Sequence, residues 1–165
     1  MNKLLPLIFA VFSPYMLSDK GSIIEVRGDL IIEPITNKCL TCICNGASRC
    51  GLEVKCDGDV CGVFSIGYEY WLDSNSPTLP FDSPESEGAY IRCVSDLSCG
   101  AEVVANYMKK NPYDCDSDGL VTCWDYAGLH NRGKLECAGF WDIDFEMNYK
   151  SCMDNSSMIL DFGIE

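Results

Sequence analysis

The sequence predicts a small disulfide-rich domain, mostly helical with a short stretch of β-strand. Three observations carry that expectation. The length of 165 residues suits one domain with tails. Twelve cysteines, an even number, follow an N-terminal stretch with the layout of an export signal, and that combination reads as a disulfide framework built in an oxidising compartment. Apolar residues recur at helical spacing in several segments but alternate over only one short run.

Taken in order, Lys3 precedes "LLPLIFAVFSPYML", an apolar run of signal-peptide length that is short and Pro-broken for a membrane span. Residues 1–18 therefore read as a signal peptide ending at Ser18. Met16 is larger than the residue usually found two places earlier, so an uncleaved anchor stays open. Residues 19–33 read as a linker or pro-segment, 34–152 as the cysteine-rich domain and 153–165 as a C-terminal tail. "KCLTCICNG" suits a short helix ending near Gly46. "VCGVFSIGYEYW" alternates Val60, Gly62, Phe64 and Ile66 in strand fashion before a helical turn begins at the aromatic cluster. From Asp73 to Gly88 Ser, Pro, Asp and Glu crowd without apolar period, as in a long surface loop. "DLSCGAEVVANYMKK" puts Leu97, Ala101, Val104, Ala105 and Met108 on one helical face, with Asp96 as the cap, lysines at the end and Asn111-Pro112 as the stop. "CWDYAGLHN" and "DIDFEMNYKSC" are shorter helices.

Charge and ligand residues exclude several functions. Removing residues 1–18, which hold Lys3 and no acid, leaves 11 basic and 25 acidic residues, a net charge of −14. Such a surface repels phosphate backbones and anionic lipids, which argues against nucleic-acid or membrane partners. A zinc protein would want repeated paired ligands, whereas this chain has one CxxC (Cys39, Cys42) and a single histidine, His130.

"CLTCIC", "CDGDVCGVFSIGYEYWLD", "YIRCVSDLSCGAEVVANYMKK" and "DCDSDGLVTCWDYAGLHNRGKLEC" together resemble the invertebrate-type (i-type) lysozyme or destabilase family, above all its insect members, over about residues 34–152. The resemblance implies a compact α+β lysozyme-like fold with a short β-sheet, secretion, and attack on the glycosidic links of bacterial peptidoglycan or a related glycan, in antibacterial defence or digestion. That chemistry needs two carboxylates flanking the bond, one kept protonated by apolar surroundings and one kept ionised. The family's acid is a glutamate three residues after the CxC and three before the next cysteine; that slot is Ala47. Its aspartate matches Asp59, three residues after Cys56. Catalysis is therefore expected to be weak or absent, leaving a glycan-binding or immune-modulating homologue as the alternative. Glu53 is a poor substitute, because it lies beyond Cys50. The family's isopeptide cleavage is disfavoured too: "DGDVCG" has no serine, Gly67 stands where the lysine would be, Ser65 is out of register, and His130, which matches the family's histidine, reads as a structural hydrogen-bonder.

Loop length and family order together pair Cys44 with Cys50, Cys56 with Cys61 and Cys93 with Cys99. Cys39, Cys42, Cys115, Cys123, Cys137 and Cys152 are left to link the two halves in one of 15 ways. No cofactor is needed for catalysis, but Asp114, Asp116, Asp118 and Asp125 stand at positions one, three, five and twelve of an EF-hand-like loop, with Gly119 at six, which suits calcium. Asn155 opens the sequon "NSS" and is the expected glycosylation site.

Overall fold

The computed structural model describes residues 15–17, 23–51, 56–155, 157 and 159–163. Most of the segment read as a signal peptide, and Glu53, lie outside the described residues. Among those residues the order is β1 (Tyr15–Leu17), β2 (Ile23–Arg27), β3 (Leu30–Ile32), α1 (Asn37–Ser48), β4 (Cys56–Asp57), β5 (Val60–Cys61), β6 (Ile66–Gly67), α2 (Tyr68–Asp73), α3 (Ala89–Ser95), α4 (Leu97–Lys110), β7 (Leu120–Val121), α5 (Cys123–Arg132) and α6 (Ile143–Asp154). This is a mostly helical α+β domain with two small sheets and six disulfides.

The helices start where side chains replace missing backbone acceptors. Thr36 accepts the N–H of Cys39, Asp96 that of Cys99 and Asp142 that of Phe145. α1 runs to Ser48, two residues past the expected end, and is closed by Arg49 in the left-handed region (φ 57°). Helix α3, inside the segment "AYIRCVS", carries no side-chain cap and was not expected from the sequence.

The alternating run from Val60 to Ile66 is not one strand. β5 and β6 pair antiparallel, Val60 opposite Gly67 and Cys61 opposite Ile66, and residues 62–65 turn the chain between them. Gly62 makes this turn possible: its φ is +77°, and a Cβ there would sit 1.7 Å from the carbonyl oxygen of Val94. Alternation reports a pleat, but Val63, Phe64 and Ile66 are all buried, so here it reports a turn inside the core.

The segment read as a linker holds β2 and β3. Glu25 pairs with Ile32 across an antiparallel hairpin, β1 pairs with β2, and β3 lies parallel to β7, with Ile32 opposite Val121. The C-terminal residues also pack back: Phe162 is buried against Phe64, and the N–H groups of Leu160 and Phe162 donate to side chains of Thr41 and Asn37 on α1.

The core is centred on α1 and α4, where Leu40, Ile43, Val103, Val104 and Met108 are fully buried with Phe64, Ile66, Trp71 and Leu129. Each such side chain contributes on the order of 1.5–3 kcal/mol. α1 packs most extensively against α6, and the approach is close: Phe145 fills the place of a Cβ at Gly46, 2.8 Å away. Disulfides fix this frame. Cys39–Cys123 ties α1 to α5, and Cys42–Cys152 ties α1 to α6 across 110 residues. Cys115–Cys137 stays within the second half instead of linking the halves. Cys44–Cys50, Cys56–Cys61 and Cys93–Cys99 close the short local loops. Among the described residues, no helix is long and apolar enough to cross a membrane.

Candidate active cleft

The end of α1, the β5–β6 turn, the end of α5 and the start of α6 meet around a cleft of about 600 Å³. Ala47, Ser48 and Arg49 form one wall, Val60 and Ser65 a second, His130 and Asn131 a third, and Asp142, Asp144, Phe145 and Asn148 a fourth. The first wall is held by the Cys44–Cys50 link and by Ser48, whose hydroxyl donates to the carbonyl oxygen of Val63 at 2.6 Å.

Two of the three residues singled out for catalysis line this cleft. Ala47 is half-buried on its wall, so the position that the resemblance assigns to the acid faces the cleft as a methyl group. His130 lines it as well. Asp59 does not: it is exposed on the turn between β4 and β5, and only its neighbour Val60 reaches the cleft. Burial first, and then the charge of Asp59, raise the phenol of Tyr90 above the usual tyrosine range.

His130 is committed at both ring nitrogens. Nε2 lies 2.8 Å from the carbonyl oxygen of Phe64, which can only accept, so Nε2 carries the proton. Nδ1 is then the acceptor for the hydroxyl of Tyr70 at 3.3 Å. Burial pushes the imidazole down to about 4, against the Phe64 bond that raises it. Tyr70 stacks on Tyr107 with ring centroids 3.9 Å apart, and burial with the nearby Tyr107 raises its phenol well above the ordinary range. Ser65 shares the cleft with His130, yet no nitrogen of that ring is free to activate a hydroxyl.

Sequence reasoning missed Arg49, Asp142, Asp144 and Asn148. Asp142 had a local signal, as the first residue of "DIDFE", where an N-cap stands before a helix. The others face the cleft only because α6 lies along α1, which no short-range pattern encodes.

The acidic loop divides. Oxygens of Asp114, Asp116 and Asp118 lie within 4.8 Å of one another. Against a burial that raises it, the backbone N–H groups of Gly119, Ser117 and Asp118 hold the Asp114 carboxyl below its usual value; burial and the charge of Asp118 raise Asp116. Asp125 is not part of this group. It is 2% exposed and caps α5, taking the N–H of Cys115 at 2.8 Å with one oxygen, and the N–H and hydroxyl of Thr122 at 2.8 and 3.0 Å with the other. The four-carboxylate set implied by the spacing therefore comes down to three, because helix capping takes the twelfth position.

Comparison with known proteins agrees with this architecture. A family model described as Destabilase matches residues 36–152. Invertebrate-type lysozyme 3 of Caenorhabditis elegans is 33% identical over 118 residues, covering 69% of this chain and 84% of the relative. A lysozyme of Magallana gigas is 35% identical over 107 residues, covering 62% and 69%. Among solved structures, that of Meretrix lusoria lysozyme in complex with Aeromonas hydrophila PliI matches with a TM-score of 0.53 at 25% identity, over 74% of this chain and 92% of the matched one. Tapes japonica lysozyme gives a TM-score of 0.50 at 24% identity, over 74% and 91%, and supports the fold. The matched family, the relatives and the shared fold agree: this chain belongs to the Destabilase family, the i-type lysozymes.

Proposed function

We propose that this protein is a secreted i-type lysozyme homologue whose cleft binds peptidoglycan or a related glycan and cleaves it weakly or not at all. The observation that carries the reading is Ala47. Acid catalysis contributes about 10²–10⁴-fold, and a methyl group cannot protonate a leaving oxygen. The carboxylates that do line the cleft, Asp142 and Asp144, are both exposed, and Asp142 is engaged as a helix cap. Neither has the apolar surroundings in which such an acid works. Antibacterial or digestive use, and the insect-type character of the motifs, belong to the same proposal. So does calcium, reduced to the loop of Asp114, Asp116 and Asp118.

Release of label from peptidoglycan by the folded protein tests the catalytic half of the proposal, and retention on insoluble peptidoglycan or chitin tests the binding half. Retention with negligible release is expected. Rapid release would overturn the catalytic half, and absence of retention would overturn the binding half.

A further inference from the structure

The cleft does not end at Arg49. Arg49 and Asn148 line it and also line a second pocket of about 220 Å³ along the seam between α1 and α6, whose remaining walls are Asn45, Ser151, Cys152 and Asn155. The two parts differ in character. Asp142 and Asp144 line the first, while the second is lined by amides, a hydroxyl and a guanidinium, with no carboxylate. Lys38 lies outside that lining, its Nζ already donating to the carbonyl oxygens of Cys152 at 2.7 Å and Asn155 at 2.5 Å. In a chain with a net charge of −13, a pocket whose one charged lining residue is an arginine is suited to an anion.

The backbone of Arg49 points the same way. It ends α1 with a φ of 57°, a conformation in which glycine is unstrained and an L side chain is not. Cys50, at φ 52°, continues the turn and is tied to Cys44. An arginine held where the backbone favours glycine costs stability, and its side chain is exposed at the junction of the two pockets.

We propose that Arg49 reads a carboxylate on the bound glycan, so that the second pocket selects strands bearing acidic groups over neutral ones. The proposal rests on the reading of the main cleft as a glycan site. A guanidinium matches a carboxylate with two parallel hydrogen bonds, a geometry an ammonium cannot reproduce, and Asn148 and Ser151 supply further donors around it. Disaccharide-peptide fragments of peptidoglycan carry free carboxylates on the peptide; a chitin oligosaccharide carries none.

Calorimetric titration of the full folded chain with soluble disaccharide-peptide fragments of peptidoglycan and with chitotetraose tests this. Arg49→Gly is expected to weaken fragment binding about 10-fold, the scale of one charged hydrogen-bonded pair, and chitotetraose binding by less than about twofold. Arg49→Lys should fall between. The thermal midpoint of Arg49→Gly should rise, showing that the loss comes from the side chain and not from misfolding. Unchanged fragment binding, or equal loss for both ligands, overturns the assignment of Arg49 alone. If the wild-type protein binds neither ligand, the glycan reading of the cleft fails and this proposal with it.

Discussion

Tyr70 donates its phenolic proton to Nδ1 of His130, while Nε2 of the same ring gives its own proton to the carbonyl oxygen of Phe64. A histidine held this way joins α2, α5 and the β5–β6 turn at one wall of the cleft, and it does so as a neutral ring. Those two bonds give the ring a structural role at the family's position.

Stability should therefore fall in acid because of this residue. The folded pKa of about 4 lies below the ordinary value of 6.5, so between those values the unfolded chain binds the extra proton and stability rises with pH. The contribution is fully present above about pH 7 and is lost as pH falls toward 4, to a total of about 3 kcal/mol. Urea unfolding at pH 7.5 and pH 4.5, compared between wild type and His130→Gln, measures it. The variant should lose this part of the pH dependence.

Restoring a carboxylate should restore chemistry. Ala47→Glu would place the acid among Val60, Phe145 and His130 on the cleft wall, and turbidity clearance of bacterial cell walls should rise by about 10²-fold or more over the wild type. Adding Asp59→Asn to that variant should return activity to background. Activity that survives the second change would show that Asp59, which lies outside the cleft wall, is not the second carboxylate.

Asp125 should behave as a cap and not as a metal ligand. Asp125→Ala removes three accepted hydrogen bonds at a buried charge and should cost about 2–3 kcal/mol in denaturant unfolding. Millimolar calcium should shift the thermal midpoints of wild type and variant by the same amount. A calcium effect confined to the wild type would return Asp125 to the ligand set.

Gly62→Ala should largely prevent folding. The new Cβ would collide with the backbone of Val94, which no side-chain rotation relieves, at a backbone angle L residues avoid. Soluble yield from oxidative refolding and near-ultraviolet circular dichroism report the loss directly.

Asn155 should carry a glycan when the protein is made in a secreting cell. It is exposed just after α6, and its side-chain oxygen accepts both the N–H and the hydroxyl of Ser157, the residue that completes the sequon. A mass shift removed by an amidase specific for N-glycans, and absent in Asn155→Gln, is the expected result.

Much of this was legible in the chain because it is local. The Asp96 cap and the apolar face of α4 are set within one or two turns, and short loops between cysteines favour the pairs at 44–50, 56–61 and 93–99. Ala47 was readable for a different reason, since it sits at a fixed distance from two cysteines. What escaped depends on distant partners. β3 joins the second half only through partners some ninety residues on, where the N–H groups of Ile31 and Glu33 donate to the carbonyl oxygens of Gly119 and Val121. The run from Val60 to Ile66 misled because burial on every side erases the difference between a pleat and a tight turn. Asp125 misled because one spacing serves both a metal loop and a capping box, and only the positions of Cys115 and Thr122 decide between them.

The two long walls of the cleft come from opposite ends of the domain, α1 near its start and α6 near its finish, with Cys42–Cys152 across them. During synthesis the ribosome must deliver residue 152 before that seam can close, so the nascent chain has no groove for nearly the whole of translation. A premature stop anywhere ahead of α6 would remove the wall of Asp144, Phe145 and Asn148 outright, however much of α1 to α5 had already folded. Oxidation of Cys42 with an earlier partner would leave the same wall untied in a full-length chain, which makes the timing of the last disulfide the step on which a productive molecule depends.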